Sequence, residues 1–156
     1  MHILRLERYP VSVSGPIIHP PILGALAAAG HKSTILVADA HYAAATAVGP
    51  HATVAYLNFT AGTPLTTEVI AALTSMLPFE RRTSMAVPDD VVAEVPAEVG
   101  AILGAEIPHR TVAREEFYAL ARSEDLVLCI VTGDTRRFAN TLLTVGVNLT
   151  EPSRSG

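Results

Sequence analysis

Two runs in this chain are apolar almost without interruption, Thr34-Ile35-Leu36-Val37-Ala38 and Leu126-Val127-Leu128-Cys129-Ile130-Val131. A strand with one wet face alternates apolar and polar residues. A strand without that alternation is buried on both faces, as happens when helices cover both sides of a sheet. Helical segments are predicted between such runs. One spans Pro20–Ala29, with Ile22, Leu23, Leu26 and Ala27 on its apolar face, prolines in the first turn and Gly30 just past the end. Others are expected at 66–77, stopped before Pro78, at 91–104 with a restart at Pro96, and at 114–122. Weaker strands are expected at 53–57, 83–87 and 107–112, and Phe138–Thr144 reads as a last helical turn or two ended by Gly146. Alternating helices and buried strands imply one α/β domain with a mostly parallel central sheet flanked by helices. The domain takes in the whole chain, with a short extension over about 1–10 and a polar tail over 149–156.

The charge balance narrows the partners. Eleven Lys and Arg against 15 Asp and Glu leave a net charge of −4, without a basic run or a tryptophan. That argues against nucleic acid or an anionic membrane as partner, and suits a small neutral substrate. No apolar stretch reaches the roughly 18 residues of a membrane span. The charged start, Met1 to Arg8, does not read as a signal peptide. The one cysteine, Cys129, lies inside an apolar run and reads as a small buried hydrophobe. An intrachain disulfide framework is excluded, so a reducing, cytoplasmic setting is expected.

Familiar chemical motifs are lacking. Gly30-His31-Lys32-Ser33 has the letters of a phosphate loop but follows a helix and lacks the earlier glycine. His31, Asp39, His41 and His51 match no zinc spacing and read as scattered surface side chains, so no metal is expected. No Gly-x-Ser-x-Gly elbow occurs. His2, His19 and His109 are taken as structural or incidental.

What stands out is a histidine closing the first helix and an aspartate closing the strand that follows, His31 and Asp39. A second polar cluster, Thr132 to Asn140, follows the strongest strand. Polar groups at the ends of regular elements are where α/β folds build sites. Histidine can give and take a proton near neutrality. Read alone, His31 is equally explained as a polar helix terminus. Five extended residues span roughly 17 Å, so His31 and Asp39 do not reach one small ligand along a straight strand. Either the chain bends after His31, or the site is assembled between subunits.

These residues resemble the D-ribose pyranase / L-fucose mutarotase family. The resemblance rests on Ala29-Gly30-His31, the strand ending Asp39-Ala40, Arg114-Glu115-Glu116-Phe117-Tyr118, the strand Val127–Thr132, Gly133, Phe138-Ala139-Asn140, Leu142-Leu143 and Gly146-Val147. Asp39-Ala40-His41-Tyr42, Gly49-Pro50 and Arg114 lean toward the fucose branch. The resemblance implies a cofactor-free sugar isomerase that interconverts anomers or ring forms. It implies His31 as proton donor, with Asp39, His41, Tyr42, Arg114, Phe138 and Asn140 around the sugar. It also implies a homo-oligomer, often ring-like (a pentamer or decamer), with sites shared between neighbours. The family usually has Tyr where this chain has Phe138, a hydroxyl that Tyr42 or Tyr118 would have to replace. That departure gives a second reading, a sugar-binding homologue with lost or altered turnover. Residues 87–106 match the family poorly.

Overall fold

Ten elements follow one another in the computed structural model, which describes residues 15–149. They are α1 (Pro20–Ala28), β1 (Thr34–Ala38), β2 (Thr53–Tyr56), α2 (Thr66–Thr74), β3 (Phe79–Met85), α3 (Val95–Leu103), β4 (His109–Val112), α4 (Arg114–Ala121), β5 (Leu126–Val131) and β6 (Thr141–Val145). The expected N-terminal extension lies outside the described residues, as does the tail beyond Leu149. The six strands form one sheet in the order β2-β5-β1-β6-β3-β4. The β1–β5, β2–β5 and β3–β4 pairs are parallel, while β6 runs antiparallel to both β1 and β3. The sheet is therefore mostly parallel, with β6 as its single reversed strand.

Both faces of the sheet are covered, as the two apolar runs require. Ile35, Val37, Leu128, Ile130 and Leu143 pack with Ile22 and Leu26 of α1, Ile70 and Leu73 of α2, and Val95 and Val99 of α3. Leu36, Ala38, Cys129, Val131 and Leu142 pack on the other face with Phe117 and Ala121 of α4 and with Tyr42, Ala44 and Ala47 of the loop after β1. Between Thr34 and Ile35 the β1–β5 register shifts from Leu126 to Leu128, skipping Val127. Because of this bulge, Leu126 and Leu128 serve opposite core layers although strand periodicity would put them on one face. Cys129 is fully buried, and burial pushes its thiol up to about 12, so it packs as a hydrophobe.

Local chemistry explains most boundaries. His19 Nδ1 accepts the Ile22 N–H at 3.3 Å, and Pro20 and Pro21 fill positions whose N–H groups would have no helical partner. Pro96 likewise sits in the first turn of α3, so residues 91–94 stay outside the helix. His109, the other incidental histidine within the described residues, bonds Ser84 Oγ at 2.6 Å between β4 and β3.

Two expectations are corrected. His31 does not close a helix. α1 ends at Ala28, and His31 lies in the turn that leads to β1, where Lys32 takes a left-handed φ of 73° and donates its N–H to Val145 O. The stretch 138–144 is not helical. Phe138 has φ 58°, incompatible with a right-handed helix, and residues 141–145 form the buried strand β6. Apolar pairs at helical spacing are also what a strand buried on both faces displays, and the β-branched Thr141, Thr144 and Val145 favour the strand once β1 and β3 offer partners on both sides.

Candidate functional site

The carboxyl ends of β1, β3, β4 and β5 and the start of the reversed β6 meet along one edge of the sheet. In open α/β sheets, ligand crevices lie at this edge. A cavity of about 240 Å³ opens there, lined by Asp39, His41, Tyr42, Met85, Arg114, Tyr118, Arg136, Arg137, Phe138 and Asn140. Every residue expected to hold a ligand is on this wall. His31 is not: it precedes β1, whereas Asp39 follows it, so the length of the strand separates them.

The wall is built from loops tied to strand ends. Asn140, just before β6, accepts the Asp39 N–H on Oδ1 at 2.7 Å, which leaves its amide N–H groups for a ligand. Asp39 Oδ1 accepts the His41 N–H at 2.9 Å, turning the chain away from β1. Asp39 is 6% exposed. Burial pushes its carboxyl up from the ordinary value, while the His41 N–H pulls it down less strongly. Tyr42 donates its hydroxyl to Ala47 O at 2.6 Å and stacks on Tyr118 with ring centroids 5.4 Å apart. Its hydroxyl is therefore spent on the backbone, and Tyr118 is the second phenol on the cavity wall. The left-handed backbone of Phe138, costly for a bulky side chain, sits in this wall.

The loop after β5 is held from beneath by a buried acid. Asp134 has no exposed surface. Its Oδ1 accepts the Arg136 backbone N–H and Nε, both at 3.1 Å, and its Oδ2 accepts Arg136 Nη2 at 3.0 Å and the Thr66 N–H at 3.1 Å. Burial pushes the Asp134 carboxyl up, but the Arg136 hydrogen bonds and the backbone donors outweigh it and hold it below the ordinary value. Arg136 also donates to Glu98 Oε2 at 2.7 Å, linking the site to α3. Gly133 passes so close to Thr60 O and Thr63 O that a Cβ would lie 2.4 and 2.3 Å from them. Only glycine fits there.

Sequence reasoning named Tyr118 only as a stand-in for the hydroxyl that Phe138 lacks, and did not single out Met85, Arg136 or Arg137 as site residues. The spacing Asp134-x-Arg136 was the visible hint, because an aspartate readily accepts the N–H two residues on. On the opposite edge, His31 Nε2 lies 3.0 Å from Glu80 Oε2, with the His31 side chain 45% exposed. The Glu80 carboxylate also accepts from the Lys32 ammonium, and Lys32 and His31 together hold its carboxyl below the ordinary value. Among the described residues, no three metal-ligating side chains are grouped.

Comparison with known proteins agrees with this architecture. The chain is 32% identical over 132 residues to D-ribose pyranase 2 of Streptomyces griseus, covering 84% of this chain and 95% of the relative. Its fold is shared by Bacillus subtilis RbsD complexed with D-ribose, with TM-score 0.76, 24% identity, and 88% and 99% of the two chains covered. The fucose mutarotase of Streptococcus pneumoniae, in complex with L-fucose, superposes with TM-score 0.72 and 20% identity over 85% and 95% of the two chains. FucU from Bifidobacterium longum does so with TM-score 0.69 and 26% identity over 84% and 95%. The sequence signature of one family spans residues 13–148, almost the whole described fold, and the chain belongs to it: the RbsD / FucU transport protein family.

Proposed function

We propose that this protein is a cofactor-independent mutarotase that interconverts the anomers or ring forms of L-fucose or a related monosaccharide. In this reading it works as a cytoplasmic homo-oligomer, a ring-like pentamer or decamer, in which His31 of one subunit completes the cavity of a neighbour. The observation that carries the reading is the convergence of Asp39, His41, Tyr42, Arg114, Phe138 and Asn140 on one small cavity. Its volume falls below the roughly 300–1,000 Å³ of sites for drug-sized ligands, the scale of a single sugar ring. Kinship with a D-ribose pyranase, and a fold shared with a fucose mutarotase, support a sugar as the ligand.

Opening a hemiacetal requires a proton delivered to the ring oxygen and another removed from the anomeric hydroxyl. His31 supplies the first, and water resets it. Asp39 accepts hydroxyl hydrogens and the Asn140 amide donates to hydroxyl oxygens, so a sugar lacking a matching hydroxyl leaves buried groups unpaired. The uncatalysed reaction is already feasible, and acid–base help of about 10²- to 10⁴-fold suffices. Self-association is supported by Ile18, Tyr56 and Phe59, which are 70%, 58% and 84% exposed, and by the outer edge of β2, which has no partner strand among the described residues.

The test is proton NMR exchange between the α and β anomers of L-fucose, with D-ribose in parallel, for wild type, His31→Ala, Asp39→Asn and co-assembled mixtures of the two variants. Wild type accelerates exchange, each variant loses it, and the mixture regains part of it, because some interfaces then hold one intact half from each variant. A mixture that stays inactive although both variants assemble would sink the shared site. Phe138 favours the second reading, a binder without turnover. Sugars that raise the melting temperature without faster exchange would select it.

A further inference from the structure

The cavity wall is rich in positive charge, although the chain as a whole is acidic. Three arginines line it, and Asp39 is the one acid on its wall. Arg136 is satisfied internally by Asp134 and Glu98. Arg114 and Arg137 are different. Among the described residues, neither pairs with a carboxylate. Each lies against an aromatic ring of the same cavity, Arg137 5.5 Å from the centroid of Phe138 and Arg114 5.8 Å from that of Tyr118. A ring occupies the face of a guanidinium and leaves its edge N–H donors open, in a planar fork that matches a carboxylate or phosphoryl group. Holding the side chain on a ring also lowers the entropy lost when an anion binds. Both residues are exposed, so their donors are open to a ligand that enters from solvent.

We infer that the substrate is a monosaccharide bearing an anionic group, which Arg137 and Arg114 receive while Asp39 and Asn140 hold the sugar hydroxyls. Carboxylate and phosphoryl groups share the chemistry these donors read. This inference rests on the mutarotase reading for its turnover and deepens it by naming the substrate class. Asp39 orients the ligand: its carboxylate repels an anion placed beside it, so the charged substituent points toward Arg137, away from the start of the loop after β1.

The experiment compares D-galactose, D-galacturonate and D-galactose 6-phosphate. Anomer exchange is measured above the enzyme-free rate, and binding to the same sugars is measured by calorimetry. The expected result is that at least one anionic sugar exceeds the neutral one about 10-fold or more in kcat/KM and in affinity, the range of a charge-assisted hydrogen bond. The preference shrinks with added salt and falls toward parity in Arg137→Gln. Whichever of uronate and phosphate is better identifies the anion.

Exchange of D-galactose as fast as that of its anionic relatives overturns the inference and leaves the mutarotase reading standing. Absence of exchange with any sugar, together with tighter binding of an anionic sugar that Arg137→Gln abolishes, does the reverse. No binding by either anionic sugar, or a preference unchanged in Arg137→Gln, overturns the inference. So does a change in assembly size in that variant, because Arg137 would then be paired by a neighbouring subunit.

Discussion

His31 Nε2 and Glu80 Oε2 stand 3.0 Å apart across the end of β6, which lies between β1, the strand that follows His31, and β3, which carries Glu80. The bond joins the turn before β1 to the start of β3, and so fixes the imidazole relative to the sheet. Both side chains are partly exposed, so the pair adds little to stability. Its consequence is orientation. Glu80→Gln is expected to lower kcat for anomer exchange about 10-fold, with little change in KM or melting temperature, because general acid efficiency depends on where the proton is held. The Glu80 carboxyl is held below its ordinary value, so the carboxylate acceptor is present at neutral pH and is lost as pH falls through that lowered value. Loss of thermal stability with unchanged kcat would assign the pair a structural role instead.

Asp39 illustrates a site residue that costs stability. Burial raises its carboxyl, so the folded state resists ionising it. A group raised on folding supports the fold most fully below its unfolded pKa, and that support is lost as pH rises through the folded value. Asp39→Asn keeps an oxygen for the His41 N–H and removes the charge. The variant should melt higher than wild type at pH 7, with the difference vanishing below about pH 4. Its exchange activity should fall about 100-fold or more. Thermal melts across pH check the first part and NMR exchange the second. A lower melting temperature at neutral pH would show that the ionised carboxylate is a net stabiliser.

Asp134 is predicted to behave in the opposite way. Its carboxyl is lowered on folding, so its contribution is present above the ordinary carboxylate range and lost as pH falls through the lowered value. Asp134→Ala leaves the Thr66 N–H and the Nε and Nη2 groups of Arg136 without their acceptor. The expected cost is about 3 kcal/mol, at the low end for breaking a buried ion pair because Arg136 keeps partial exposure. Urea unfolding midpoints at pH 7 measure it. The deficit relative to wild type should shrink on acidification.

Phe138→Tyr tests whether a missing hydroxyl limits turnover. The substitution keeps the ring that packs beside Arg137. One added hydrogen bond to a sugar is worth about 0.5–1.5 kcal/mol, so exchange should rise about 2- to 10-fold. If Tyr118 already provides that contact, the rate will not change, and Tyr118→Phe will be the variant that loses it.

The layered α/β architecture was legible in the chain because burial on both faces leaves its mark locally, as unbroken apolar runs at 34–38 and 126–131. Proline and capping chemistry likewise announced the starts of α1 and α3 within a few residues. The strand β6 was not legible. Phe138, Leu142 and Leu143 suit either period, and the choice was made by β1 and β3, which are distant in sequence. The same holds for the site. Asp39 and the cluster holding Asn140 stood out as polar groups at element ends, and Arg114 entered through the family resemblance, whereas Arg136 became meaningful only when Thr66, 68 residues before Asp134, was found on the same buried carboxylate.

Sequence alone determined which side chains are available for proton transfer and hydroxyl binding, and that five extended residues keep His31 away from Asp39. Those are properties of residue type and chain geometry. Tertiary structure decided that Asp39 and Asn140 meet across 101 residues, that the Tyr42 hydroxyl is withdrawn into the backbone, and that Arg114 and Arg137 line one cavity in which, among the described residues, neither is paired with a carboxylate. These depend on the order in which strands pair, which arises from the burial of the whole sheet and is encoded in no single segment.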